Sequence, residues 1–205
     1  DEKNVLPYEI DEWHNGGESL VWVKVPELKK GTRFKMFYGG AAVSSMNETT
    51  HRMGYRGEAV WSDYAGVWHM NEDSGTAYDS TAHGLDALPS KGTNELADIS
   101  QMVAYENGAC GRARVNGLVN GRGCNFMMVP SASVLCFGGR FVASGWFYGN
   151  DKGAEDDPRL ITKKNSNIIN PWSGPSGFDI NYENSYDNML FRGSGDLDFT
   201  VNMPS

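Results

Sequence analysis

The acidic run at residues 9–12 carries side chains that glycoside hydrolysis would need. Glu9 and Asp11 are two positions apart, and a β-strand places such residues on one face of its sheet. A retaining glycosidase uses two carboxyl groups about 5 Å apart as nucleophile and acid. In retaining β-glucanases such a strand has the pattern E-x-D-x-E or E-x-D-x-x-E, whereas here Trp13 and His14 occupy the positions of the last carboxylate. We therefore expect no enzyme activity, and we expect residues 9–12 to form a solvated strand face.

The loop at residues 71–86 has the composition of a cation site. Hard cations bind several carboxylate and carbonyl oxygens at about 2.3–2.6 Å. The loop supplies six side chains with such oxygens: Asn71, Glu72, Asp73, Asp79, Ser80 and Asp86. Two glycines in the same loop allow tight turns that direct backbone carbonyls inward. A structural Ca²⁺ is therefore one expectation for this loop.

The histidines, serines and cysteines lack the spacing of a catalytic or metal site. His69 alternates with Trp68 in a strand pattern, and we expect it to point outward. Cys110 and Cys124 flank a glycine-rich turn region, so a disulfide between them is one alternative. The other alternative is that these two cysteines and Cys136 are buried free thiols.

Trp172 is the best candidate for a ligand-binding side chain, because aromatic faces stack on the apolar C–H faces of sugar rings. It lies in a polar loop between Pro171 and Pro175, where a large ring has few neighbours to bury it. The alternative is a loop tryptophan that fills the core, since tryptophan is highly buried on average. The other five tryptophans have strand patterns and are expected in the core: Trp13, Trp22, Trp61, Trp68 and Trp146.

The elements that must position these residues are strands. The chain has 205 residues, 25 of them glycine, and almost no apolar spacing of the helical type. With 26 acidic and 18 basic side chains the net charge is −8, which argues against a nucleic-acid partner. No apolar run approaches the roughly 20 residues of a membrane helix. The sequence predicts an all-β protein.

Short alternating or aromatic-rich runs bounded by turn residues predict twelve strands. These are Tyr8–Trp13, Ser19–Lys24, Arg33–Tyr38, Val60–Trp61, Ala65–Asn71, Arg112–Val115, Asn125–Val129, Arg140–Tyr148, Arg159–Lys163, Gly177–Tyr182, Asn188–Arg192 and Asp196–Asn202. The polar stretch 44–57 lacks strand periodicity. We interpret it as a linker between two modules, residues 1–43 and 58–205.

The first module resembles part of a known domain type. Its ordered series runs from Tyr8-Glu9-Ile10-Asp11-Glu12-Trp13 through Val21-Trp22-Val23-Lys24-Val25-Pro26 to Met36-Phe37-Tyr38-Gly39-Gly40. This series is similar to the second half of a bacterial and archaeal β-sandwich domain of unknown function, whose pattern is YEIE-W, VWVKVP and MYYGN. The resemblance implies a partial β-sandwich, lacking that domain's first half.

The second module resembles a LamG-like, concanavalin A-type jelly roll. The match begins with Val67-Trp68-His69-Met70-Asn71 and its loop, and continues through Gly111-Arg112-Ala113, Val129-Pro130-Ser131 and Phe141-Val142-Ala143. The resemblance implies Asp79, with Asn71, as ligands of a structural Ca²⁺. Ala82-His83-Gly84 replaces an asparagine of the usual loop pattern, which leaves open a turn in which Asp79 only accepts hydrogen bonds from its own backbone amides.

Together the two resemblances imply a non-catalytic glycan-binding or adhesion module of a larger exported bacterial protein, in the periplasm or at the cell surface. The implied partners are a glycan or a surface protein, and the rest of the parent chain or a neighbouring subunit. The alternative is a ligand-free structural or sensory spacer, such as the periplasmic extension of a TolQ/ExbB/MotA-like proton-channel protein. We also expect both modules to be incomplete. Either the strand edges at residues 8–38 and 188–202 are open, or a neighbouring chain completes them.

Overall fold

A computed structural model describes most of the chain. The described residues are 5–38, 57–91, 98–116, 125–137, 140–148, 159–164, 177–183, 188–192 and 198–202. They form small antiparallel sheets and one short helix, so the predicted all-β class is confirmed. The jelly-roll arrangement stays a prediction. Among the described residues, no helix has the length and apolar character needed to cross a membrane.

The chain divides into two compact units. The first comprises residues 1–117 and 124–143, and the second comprises residues 118–123 and 144–205. The first unit therefore contains residues from both predicted modules. The domain limits drawn from the two resemblances, with a linker at residues 44–57, stay a prediction.

The first unit opens with a hairpin. Strand β1 (Tyr8–Glu12) pairs antiparallel with β2 (Leu20–Val23), and Gly16 has a φ of 82° in the turn between them. The left-handed conformation at that turn favours glycine, which has no Cβ. Helix α1 (Gly57–Val60) packs against β1. In the described part of the chain, no third strand hydrogen-bonds to this hairpin.

The described part of the first unit also contains two further strand pairs and two 3₁₀ turns. Strand β3 (Leu88–Lys91) pairs with β6 (Asn125–Met128), β4 (Ala104–Tyr105) pairs with β5 (Ala113–Arg114), and the 3₁₀ turns are Ile99–Gln101 and Ser133–Leu135. Between α1 and β3 the chain folds back on itself through isolated bridges, including Trp68 with Asp79 and Ala77 with Ala87. Ala77, Ala87 and Met102 are fully buried at the centre.

The second unit contains one four-stranded sheet. Its strands are β7 (Arg159–Lys164), β8 (Gly177–Glu183), β9 (Asn188–Arg192) and β10 (Asp198–Asn202). Each strand pairs antiparallel with the next strand along the chain, so the sheet is a meander. All four strands coincide closely with predicted strands.

Four predicted strands of the chain have other conformations. Residues 65–71 form no strand and contribute only the isolated bridge at Trp68. Val60 ends helix α1 and Trp61 follows it, while residues 33–38 and 140–148 have no strand assignment. Alternation alone cannot form a strand, because a strand also needs a partner for its backbone N–H and C=O groups. The predicted strands include neither β3 nor β4; β3 contains Pro89, which lacks a backbone donor, and β4 has only two residues.

Several side chains expected in the interior are on the surface. Trp13 and Trp146 are exposed, so their predicted core positions are wrong. Cys110 and Cys136 are also exposed and carry free thiols, which contradicts the expectation of burial. Cys124 lies outside the described residues.

Candidate functional site

The carboxylates of β1 face the interior of the first unit. The strand places Glu9 and Asp11 on one face, and that face packs against residues 57–81. Glu9 is only 2 % exposed, and the Asp11 side chain is 3 % exposed. The predicted solvated strand face is therefore wrong, because these two positions are among the most buried acidic side chains of the described chain.

His69 lies between the two carboxylates. Its Nε2 is 3.2 Å from Glu9 Oε2, and its Nδ1 is 3.2 Å from Asp11 Oδ2. The prediction that His69 points outward is wrong, since its side chain is 12 % exposed. A ring with both nitrogens facing carboxylate oxygens fits the protonated imidazolium, which donates from both nitrogens. We call Glu9, Asp11 and His69 the acid–histidine cluster.

Two tryptophans enclose the acid–histidine cluster. Trp61 Nε1 donates a hydrogen bond to Glu9, and Trp22 Nε1 donates to Asp11 Oδ2 at 2.8 Å. The Trp22 ring stacks on the imidazole with centroids 5.6 Å apart, and the Trp61 ring lies 5.5 Å from it. The rings exclude water from the ion pairs, so the electrostatic attraction within the cluster is weakly screened.

Burial and pairing shift the pKa values of Glu9 and His69 in opposite directions. Burial raises the pKa of Glu9, but the hydrogen bonds from His69, Trp61 and Ser80 and the charge of His69 outweigh it, so the pKa lies below its ordinary value. Burial lowers the pKa of His69, but the hydrogen bond to Glu9 and the charges of Asp11, Glu9 and Glu72 outweigh it, so the pKa is raised. Both shifts favour the ion pair.

The acid–histidine cluster is arranged as a structural anchor. Its carboxylates already accept hydrogen bonds from His69 and the tryptophans, and the imidazole separates them, as a substrate in a glycosidase would. The two imidazole nitrogens lie on opposite sides of the ring, so they cannot hold one ion together with both carboxylates. Within the described ranges, no group of three or more His, Cys, Asp or Glu side chains has metal-site geometry.

Asp79 organises the turn in which the sequence places it. Its Oδ1 accepts hydrogen bonds at 3.0 Å from the backbone N–H groups of Val67 and Thr81. Its Oδ2 accepts from Thr81 Oγ1 at 2.8 Å and from the Leu85 N–H at 2.9 Å. Four donors occupy the four lone-pair sites of this carboxylate. The geometry favours the alternative in which Asp79 accepts hydrogen bonds from its own turn.

Asn71, the other predicted calcium ligand, belongs to a different network. Its amide donates to the Asp11 side chain and, at 3.2 Å, to the Asp11 backbone carbonyl. The backbone carbonyl of Asn71 accepts a 2.8 Å hydrogen bond from the Arg112 guanidinium. A Ca²⁺ ion on the Asp79 carboxylate would have to displace existing donors, and the Asn71 side chain is hydrogen-bonded to Asp11 rather than to the Asp79 turn. The calcium site stays a prediction.

The surface of the described chain carries two groups of exposed aromatic side chains. Residues 28–38 form the first, which we call the basic–aromatic segment, and residues 140–148 contain the second, with Trp146 at 76 % and Tyr148 at 86 % exposure. Trp172 lies outside the described residues, so its predicted role in ligand binding stays a prediction.

Sequence reasoning missed His69 as a partner of β1, because the two are separated by about 60 residues. One signal was available. Glu9 and Asp11 alternate with the apolar Ile10 in a strand that also carries tryptophan nearby, a pattern in which a buried acidic face requires a cation elsewhere in the chain.

Comparison with protein-family models, with curated proteins and with solved structures found no match to this chain. The two resemblances described above therefore stay predictions.

Proposed function

We propose that this chain is a non-catalytic binding module of a larger exported bacterial protein, acting in the periplasm or at the cell surface. The proposed ligand is a glycan or a glycan-bearing surface protein. The proposal is supported by the acid–histidine cluster, whose acidic and basic groups are buried and paired with one another rather than open to a substrate.

The observation that carries the proposal is the exposure of Trp146 and Tyr148. Each side chain is more than three-quarters exposed, although burying a large aromatic ring is strongly favourable. Aromatic rings left in water are typical of binding surfaces, where they cover an apolar face of a ligand. Pyranose rings offer such a face through their C–H groups.

A glycan array with the full chain tests the proposal. We expect saturable binding that is lost in Trp146→Ala and weakened in Trp172→Ala. Trp13→Ala is the matched control, because Trp13 is an exposed tryptophan of the first unit, and this variant should bind as the unchanged chain does.

Two outcomes would contradict the proposal. Binding that persists in both Trp146→Ala and Trp172→Ala would show that these rings do not contact the ligand. Silence across a broad array would instead support the alternative, a ligand-free spacer such as the periplasmic extension of a TolQ/ExbB/MotA-like protein.

A further inference from the structure

The basic–aromatic segment concentrates positive charge in an acidic protein. Four of the 18 basic residues lie within seven positions, as Lys29, Lys30, Arg33 and Lys35, and residues 28–38 contain no acidic residue. The remaining 14 basic and 26 acidic residues give the rest of the chain a net charge of −12. This segment is therefore the place in the described first unit where a polyanion meets a local excess of positive charge.

These cations are available to a ligand. Residues 28–38 are exposed throughout. Lys29 pairs with Glu27 at 2.6 Å, and both of those side chains are about 70 % exposed. Lys30, Arg33 and Lys35 form no ion pair with another described residue. An exposed pair such as Lys29–Glu27 is worth little, so an incoming anion competes with it easily.

Apolar side chains alternate with the cations. Every large apolar side chain of the segment is more than half exposed: Leu28, Phe34, Met36, Phe37 and Tyr38. Arg33 and Lys35 flank Phe34, so charge and aromatic surface lie within one residue of each other. A ligand that fits this arrangement carries negative groups beside flat apolar faces.

We propose that the basic–aromatic segment is a binding site for an anionic polysaccharide, a linear chain of sugar rings bearing carboxylate or sulfate groups. Lys30, Arg33 and Lys35 pair with the acidic groups, and Phe34 and Phe37 stack on the C–H faces of the rings. The choice of a glycan rests on the proposed function, but this site uses different residues from Trp146 and Trp172.

Charge distribution favours a single flexible polyanion over a membrane. The rest of the chain has a net charge of −12, which disfavours a broad planar anionic surface more than a narrow strand. A polysaccharide strand can follow residues 28–38 alone. A double-stranded nucleic acid carries one negative charge per about 1.7 Å of its axis, and the segment offers only four cations against so dense a phosphate backbone.

Titration of the full chain with polygalacturonate tests the site, with heparin as a sulfated probe. We expect saturable binding of polygalacturonate that weakens with added salt. Arg33→Gln/Lys35→Gln should lose about tenfold in affinity, since each lost charged contact costs a substantial part of the binding. The matched control is Lys91→Gln/Arg140→Gln, which removes one lysine and one arginine from other exposed positions and should lose less than about twofold.

The aromatic part of the proposal has its own variant, Phe34→Ala/Phe37→Ala, which should also weaken polygalacturonate binding several-fold. If it binds unchanged, the segment is only a patch of charge and the proposal is wrong. Binding of heparin without binding of polygalacturonate would show that sulfate groups are required, and would narrow the ligand to sulfated chains.

Other polyanions provide the remaining outcomes. Tighter binding to poly(dT), or to phosphatidylglycerol vesicles, with the same sensitivity to Arg33→Gln/Lys35→Gln would overturn the assignment to a polysaccharide. Trp146→Ala should leave polygalacturonate binding intact. If no neutral glycan on the array binds but polygalacturonate does, the Trp146 site is contradicted and the basic–aromatic segment is supported. If a neutral glycan binds but polygalacturonate does not, only the site at the basic–aromatic segment is contradicted.

Discussion

In the acid–histidine cluster every charged group faces a partner at hydrogen-bond distance, whereas Lys30, Arg33 and Lys35 of the basic–aromatic segment form no ion pair with another described residue. The difference follows from solvent. Burying an unpaired charge costs several kcal/mol, so a buried carboxylate is kept only with a cation and donors around it. Exposed cations carry no such cost and remain available to a ligand. Removing one partner of the buried charges should therefore destabilise the fold, and the unpaired exposed charges are where ligand binding is expected.

The largest effect should come from removing the cation of the cluster. His69→Ala leaves Glu9 and Asp11 buried without their shared partner. Breaking a buried pair in this way costs about 3–5 kcal/mol, so we expect a loss of that size in the free energy of unfolding, measured by urea denaturation.

The control for this variant is His83→Ala, because His83 is exposed. Its unfolding free energy should stay within about 0.5 kcal/mol of the unchanged chain. If His69→Ala were equally mild, the cluster would not anchor β1, and the contrast between buried and exposed charge would fail.

The second-largest loss of stability is expected from a substitution in the Asp79 turn. Asp79→Asn replaces one acceptor oxygen with a donor that faces backbone N–H groups, and each buried donor left unsatisfied costs about 1–3 kcal/mol. We expect destabilisation in that range by scanning calorimetry.

Scanning calorimetry also distinguishes the two interpretations of Asp79, as a calcium ligand or as a hydrogen-bond acceptor for its own turn. If the carboxylate serves only its own turn, melting curves in calcium and in chelator should coincide. A higher melting temperature in calcium, lost in Asp79→Asn, would establish the metal site, because a ligand of the folded state stabilises it by mass action.

The sequence predicts that the two acidic residues of the cluster share one strand face, but it does not predict which distant residues pack against them. Alternation in β1 correctly places Glu9 and Asp11 on one face. The alternation with Ile10 is compatible with a buried acidic face, but the strand does not identify the partners on which burial depends, His69 and Trp61, because they lie 50 to 60 residues away. The same limit explains residues 33–38, whose alternating pattern predicts a strand although no described strand pairs with them.

The pH dependence of stability should follow the two shifted groups. The lowered pKa of Glu9 gives stability that is present above its ordinary value of 4.5 and lost as the pH falls through its folded pKa. The raised pKa of His69 gives stability that is present below its ordinary value of 6.5 and lost as the pH rises through its folded pKa. Stability should therefore be greatest between these two ordinary values.

Urea denaturation across pH 3–9 checks this curve. In His69→Gln the fall on the alkaline side should disappear, while His83→Gln should keep it. An alkaline fall that persists in His69→Gln would assign that pH dependence to another group and would contradict the protonated state inferred from the geometry of the cluster.

The smallest effect on the free energy of unfolding is expected in the basic–aromatic segment. A small effect there is what distinguishes its exposed charges from the buried charges of the acid–histidine cluster. Arg33→Gln/Lys35→Gln should change the free energy of unfolding by no more than about 0.5 kcal/mol, because exposed charges without partners contribute little to the folded state. Removing positive charge from a chain of net charge −8 slightly increases its overall repulsion, so any change should be a weak destabilisation that salt reduces. Urea denaturation at low and high salt measures it. A loss of several kcal/mol in the free energy of unfolding would mean that these cations have structural partners. Their exposure would then no longer support a role in ligand binding.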